Sequence, residues 1–104
     1  MNCFDLFKMI FYVFDNEYDN NPNEELGNLC SSMNPFLFEG EGSAVEEVYE
    51  QFKKAYFDRF KNDCSLEEGY EFGKKYAKNT KVESAISAFD KISIEDWINA
   101  YKQL

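Results

Sequence analysis

Apolar and aromatic residues recur along the chain at helical spacing. In the first segment they lie three and four positions apart, on one face of a helix: Phe4, Phe7, Ile10, Phe11 and Phe14. Similar patterns predict helices over residues 3–18, 22–33, 44–61, 66–79, 81–91 and 94–104. No stretch alternates apolar and polar residues over the length of a strand. The sequence therefore predicts an all-α fold, an irregular bundle of five to six short helices forming one domain over residues 1–104.

Local signals mark where these helices begin and end. Asn21–Pro22 predicts the start of the second helix, and Asn34–Pro35 predicts its end. Four later helices begin with three capping boxes and one close variant: Ser43–Glu46, Ser65–Glu68, Thr80–Glu83 and Ser93–Asp96. In the fourth helix Gly69 and Gly73 lie four positions apart, so we expect another helix to approach closely there.

The stretch Met33–Gly42, MNPFLFEGEG, interrupts the helical pattern. It is too short for a helix and too apolar for an ordinary exposed loop. In one interpretation Phe36 and Phe38 fill the core between the second and third helices. In the other, part of PFLF stays exposed beside Glu39 and Glu41, as an apolar anchor within an acidic rim. Both can hold, because neighbouring side chains can face opposite ways.

Negative charge is concentrated in one third of the chain. The sequence has 20 acidic and 11 basic residues and a formal net charge of −9, yet residues 9–52 contain no lysine or arginine. Such a segment repels nucleic acid and attracts a basic protein partner. Its acidic residues, together with Phe36 and Phe38, are the candidate partner-binding residues: Asp15, Glu17, Asp19, Glu24, Glu25, Glu39, Glu41, Glu46, Glu47 and Glu50.

The remaining composition limits the chemistry open to the protein. There is no histidine, the commonest general base and zinc ligand, which argues against an ordinary hydrolase or zinc enzyme. Cys3, Cys30 and Cys64 lack metal-ligand or redox spacing, so we expect reduced thiols. The sequence thus predicts a protein that is not an enzyme, without catalytic residues, a metal site or a cofactor.

Four local patterns resemble chemical motifs, and each has a simpler structural explanation. Asp15–Glu25 places oxygen ligands at alternate positions, but it lacks the glycine and final glutamate of a calcium loop. The neighbours Glu24–Glu25 and Glu46–Glu47 diverge around a helix, which does not favour acid–base catalysis. Glu39–Gly42 lacks phosphate-loop spacing. The basic residues of Lys74–Lys81 suit the negative end of a helix.

The N-terminal segment is apolar without being typical of a signal peptide. It has no basic region and no small-residue cleavage site, and Asp5 and Lys8 interrupt its apolar part. No apolar run approaches the roughly 18 residues that indicate a membrane span. We therefore interpret the segment as the first helix, and we expect a cytoplasmic protein without a membrane partner.

The order of the segments resembles one group of small proteins. An aromatic first helix, an Asp/Asn-rich turn, NEELGNLCSSMNPFLFEGEGSA and a helix beginning VYEQFKKAY follow one another. This order is similar to that of small all-helical immunity proteins of bacterial contact-dependent growth inhibition and related polymorphic toxin systems, over roughly residues 1–60. The resemblance implies a non-catalytic protein that binds and neutralises a cognate toxin domain, a basic nuclease, through its acidic surface.

Two other functions remain open at this point. One is an acidic adaptor or nucleic-acid-mimic inhibitor of another basic protein, which would share the same electrostatics. The other is a small metal-dependent or carboxylate-based enzyme, which would have to bind calcium, magnesium or manganese. The sequence leaves the oligomeric state open and favours a monomer.

Overall fold

The computed structural model describes residues 1–104 and contains six α-helices and no strand. The helices are α1 (Cys3–Asn20), α2 (Glu24–Met33), α3 (Glu46–Arg59), α4 (Leu66–Thr80), α5 (Glu83–Asp90) and α6 (Ile94–Lys102), and a 3₁₀ turn spans Pro35–Leu37. The predicted all-α bundle of five to six helices is confirmed. No helix has both the length and the apolar character needed to cross a membrane.

Helix α1 lies at the centre of the bundle, as its wide apolar face predicts. Helices α2, α3, α4 and α5 all pack against it. The ring of Phe7 lies 5.0 Å from the rings of both Tyr49 and Phe52 on α3. The ring of Phe14 lies 5.9 Å from that of Phe89 on α5. Edge-to-face aromatic pairs of this kind therefore connect α1 to helices on two sides.

Two of the predicted capping boxes are confirmed. Ser65 begins α4, and its hydroxyl accepts a hydrogen bond from the N–H of Glu68 at 3.1 Å. The Glu68 carboxylate accepts one in return from the N–H of Ser65 at 2.9 Å, which lowers the pKa of that carboxyl. Ser93 and Asp96 form the same reciprocal pair at the start of α6. Local sequence alone is sufficient to specify these two helix starts.

Helix α1 begins at Cys3 as predicted, but the predicted starts of α2 and α5 are wrong in their details. Helix α2 is capped by Asn23, whose Oδ1 accepts from the N–H of Leu26 at 2.9 Å, and not by Asn21. The predicted capping box at Thr80 does not form, because α4 extends through this residue. Its hydroxyl donates to the carbonyl of Ala77 and accepts from the N–H of Val82 at 3.2 Å, and not from that of Glu83. The residue before α5 is Val82, which supplies no side-chain cap.

The two α4 glycines lie where other elements approach closely, as predicted. A Cβ at Gly73 would lie 2.6 Å from Cζ of Phe89 on α5 and 3.3 Å from Cγ1 of Ile10 on α1. A Cβ at Gly69 would lie 2.7 Å from Sδ of Met1. Helix α4 can therefore reach α1 and α5 only because these positions carry no side chain.

Gly73→Ala should lower the free energy of unfolding by about 2 kcal/mol, because overpacking outweighs the helix propensity that alanine adds. The Phe89 ring is enclosed by Phe14, Tyr70 and Trp97 and has no free side to move toward. Gly27→Ala is the matched control, since its Cβ would meet only the half-buried ring of Tyr18, which can swing outward. Urea unfolding measures both variants. Equal midpoints would show that α4 has room for a methyl group.

The three cysteines are free and buried. Burial raises the pKa of Cys3 and Cys30 to about 11 and also raises that of Cys64. Thiols of this kind are unreactive at neutral pH and act as small core residues.

Candidate partner-binding surface

Residues 34–45 form a closed loop between α2 and α3. Its two ends are joined by backbone hydrogen bonds, from the N–H of Ala44 to the carbonyl of Asn34 and from the N–H of Val45 to the carbonyl of Ser32, each 3.0 Å long. The side chain of Asn34 also accepts from the N–H of Phe36 at 2.9 Å, which shapes the 3₁₀ turn. The loop that carries PFLF is therefore held in place at its base.

Ser43 anchors this loop to α3. It is fully buried, and its hydroxyl accepts from the N–H of Tyr49 at 3.0 Å and donates to the carbonyl of Val45. The predicted capping box of Ser43 with Glu46 is wrong, because α3 begins only after Val45 and the hydroxyl reaches a later N–H of the first turn. The serine thus orders the loop and the start of α3 together.

Ser43→Ala should lower the free energy of unfolding by about 1–3 kcal/mol, because the N–H of Tyr49 then loses its partner inside the protein. Ser87→Ala is the matched control, since Ser87 is exposed on α5. Thermal unfolding followed by circular dichroism compares the two variants. The same melting temperature for both would mean that the hydroxyl is dispensable.

Phe36 and Leu37 project from this loop into solvent, with 63% and 71% of their surface exposed. The Phe36 ring lies 6.0 Å from that of Tyr12 and 6.3 Å from that of Phe11 on α1. Tyr12 is itself 37% exposed. Tyr12, Phe36 and Leu37 together are called the aromatic patch below. Sequence reasoning missed Tyr12, although its place beside the periodic apolar positions of α1 was a usable signal.

The interpretation in which Phe36 and Phe38 fill the core is wrong. Phe36 is exposed, and Phe38 is half-buried outside the core cluster. The Phe38 ring closes over Gly42, where it occupies the space that a Cβ would need. Phe38 therefore packs within the loop and supports its shape, while Phe36 is available to a partner.

A groove of about 350 Å³ runs between α1 and α2 beside the aromatic patch. Phe11, whose ring contacts that of Phe36 in the patch, lines this groove. It is called the acidic groove below, since Asp15 and Glu24 also line it. Asp19 follows Asp15 by one helical turn and so lies on the same side of α1. Asp15 and Glu24, from different helices, therefore meet in the groove, and Asp19 lies beside Asp15 on α1.

Burial and the neighbouring carboxylate of Asp19 raise the pKa of Asp15 above its usual value. A carboxyl with a raised pKa contributes to stability while it is protonated, and this contribution is lost as pH rises through the folded-state pKa. We expect Asp19→Asn to lower the pKa of Asp15, because only the burial effect then remains. NMR titration of the Asp15 carboxyl measures this shift. Asp5→Asn, on the same helix, should leave the value unchanged.

A second acidic group lies on the loop and the first turns of α3. Its members are all exposed: Glu39, Glu41, Glu46, Glu47 and Glu50. Burial and the contact with the Cys3 thiol raise the pKa of Tyr49, and the nearby carboxylates of Glu41 and Glu50 add to this. The Tyr49 ring packs against Phe4 and Phe7 of α1. This group therefore lies near the N-terminal half of α1, whereas the acidic groove lies near its C-terminal half. The aromatic patch lies between the two.

The prediction that Glu17 is a partner-binding residue is wrong. Its side chain is buried, with the residue only 7% exposed, and its carboxylate receives Nζ of Lys91 at 2.8 and 3.1 Å and Nδ2 of Asn21 at 3.1 Å. It joins α1 to the turn between α5 and α6 and is not available to a partner. Glu25 also lies apart from the acidic groove, beside Glu83 in a polar pocket. The neighbours Glu24 and Glu25 diverge as predicted.

The calcium-loop pattern does not correspond to a loop. Asp15, Glu17 and Asp19 all lie within α1, where Glu17 points to a different side of the helix from Asp15 and Asp19. Their oxygen atoms therefore do not converge on one point.

No protein-family model, curated protein or solved structure matches this chain. The similarity to immunity proteins therefore stays a prediction, and the residues and geometry described above carry the functional argument.

Proposed function

We propose that this chain is a cytoplasmic immunity protein that binds and neutralises a cognate toxin domain, a basic nuclease. One observation carries the proposal: an exposed aromatic patch lies between two groups of carboxylates. Of these carboxylates only Glu50 has an ion-pair partner, Lys53 at 3.3 Å. An apolar anchor with unpaired charge on both sides suits a partner with a complementary basic surface.

The two parts of the surface have different tasks in this proposal. Phe36 and Leu37 lose water on binding and supply affinity, as aromatic and apolar anchors do at the centre of an interface. The carboxylates of the acidic groove and of α3 attract the basic partner over a distance and speed its capture. In a nuclease they would occupy the place of substrate phosphates, and inhibition would then need no chemical step.

A survival assay tests the proposal directly. The C-terminal domain encoded immediately upstream is expressed in the same cells with and without this protein. We expect growth to be rescued and the two proteins to co-purify. Toxicity that this protein does not relieve, or an upstream domain that is not toxic, would contradict immunity. In that case a lysate pull-down would test the adaptor or nucleic-acid-mimic function.

A further inference from the structure

Helices α3 and α4 are held apart by aromatic side chains. The ring of Phe72 on α4 lies 5.5 Å from that of Phe52 and 5.7 Å from that of Phe60. The ring of Tyr76, one turn later, lies 5.3 Å from that of Phe52. This spacing leaves an open groove of about 640 Å³ between the two helices, called the α3–α4 groove.

The α3–α4 groove has an apolar floor and a charged rim. Phe60, Phe72, Tyr76 and Ala55 supply its apolar surface. On α4 the lining residues recur on successive turns from Glu67 to Asn79, a length of about 18 Å at 1.5 Å per residue. This is about three helical turns. The walls are two helices, so the groove has the shape that receives a third helix packed alongside them.

The rim of this groove is predominantly acidic and its carboxylates lack ion-pair partners. Asp58, Glu67 and Glu71 form no salt bridge, since the ion pairs of the protein involve other residues. The basic rim residues are Arg59 and Lys75, and the Arg59 guanidinium lies 4.8 Å over the Phe60 ring. A cationic side chain entering from solvent would therefore meet free carboxylates.

We propose that the α3–α4 groove binds a cationic amphipathic helix of a partner protein. The apolar face of that helix would cover Phe60, Phe72 and Tyr76, and its lysines or arginines would pair with Asp58 and Glu71. A second copy of this chain is a poor occupant, because each copy carries a net charge of −9. Nucleic acid is repelled for the same reason.

This groove is separate from the surface that the proposed function uses. None of its lining residues belongs to the aromatic patch, the acidic groove or the predicted partner-binding set. It is formed by the C-terminal part of α3 and by α4, whereas the other surface involves α1, α2 and the start of α3. The two proposals can therefore fail independently.

The test is an NMR titration of the ¹⁵N-labelled full chain with a synthetic 14-residue Leu/Lys amphipathic peptide, LKKLLKLLKKLLKL. We expect saturable shifts at the amides of Ala55, Glu71 and Lys75. Asp58→Lys with Glu71→Lys should weaken binding by about tenfold or more. The control pair Asp90→Lys with Glu95→Lys makes the same change in net charge at exposed positions outside both the groove and the proposed partner-binding surface, and should have a much smaller effect.

Ala55→Trp separates shape from charge, because it fills the groove without altering the rim. Ala55 is exposed, so we expect the variant to fold and to lose about tenfold in affinity for the peptide. Shifts confined to the aromatic patch, equal weakening by both charge-reversal pairs, or no saturable binding would each overturn the proposal. Groove shifts that appear with rising protein concentration alone would assign the groove to a second copy instead.

Discussion

Trp97→Ala should lower the free energy of unfolding by about 3–5 kcal/mol, a large part of the roughly 5–15 kcal/mol that stabilises a domain. Trp97 is fully buried and is the only buried residue of α6. Its ring lies 5.9 Å from those of Tyr70 and Phe89, and its Nε1 donates to the carbonyl of Leu66 at 3.0 Å. Truncation would therefore leave a cavity and detach α6 from α4 and α5.

Two further variants separate the causes of this loss. Trp97→Phe keeps most of the apolar volume but removes the N–H, so its cost should lie well below that of alanine. Phe57→Ala removes an aromatic ring that is half exposed and should cost within about 1 kcal/mol. Urea unfolding followed by far-ultraviolet circular dichroism suits all three, because Trp97 is the only tryptophan. Equal costs for Trp97→Ala and Phe57→Ala would refute this account of how α6 is held.

The fold could be predicted because its signals are local. Apolar spacing assigns all six helices, and the capping boxes at Ser65 and Ser93 form within four residues of sequence. The failures have a shared cause. Ser43 and Thr80 belong to equally good local patterns, but a buried loop contact and the continuation of α4 take up their hydroxyls. Neither competing contact can be read from the helix-start pattern itself.

The sequence predicted which acidic residues belong to the candidate site, but it predicted less well which side chains are exposed there. The acids without nearby bases are visible in the sequence, and most of them are exposed in the structure. Glu17 differs because its partner, Lys91, lies 74 positions away. The exposure of Phe36 depends on how the loop closes between Asn34 and Ala44, which composition does not determine. Tyr12 joins the site only through its contact with Phe36.

Phe36→Ala should weaken binding of the cognate toxin domain by about 30-fold, the effect of losing a 2 kcal/mol anchor. We expect most of the change in a faster dissociation rate, because the ring makes its contacts only in the complex. The side chain is 63% exposed in the free protein, so stability should change by less than about 0.5 kcal/mol. Surface plasmon resonance measures both rates, and circular dichroism checks the fold.

The acidic residues should act on the association rate, whereas Phe36 acts on the dissociation rate. This difference between the two rates is what identifies the binding surface. Glu39→Lys with Glu41→Lys should slow association, and the effect should shrink as salt is added, because screening weakens long-range attraction. Asp63→Lys with Glu95→Lys makes the same change in net charge at exposed positions away from the aromatic patch. If both pairs slow association equally, only net charge matters and the partner does not approach this surface. If Phe36→Ala also leaves dissociation unchanged, the aromatic patch is not the anchor.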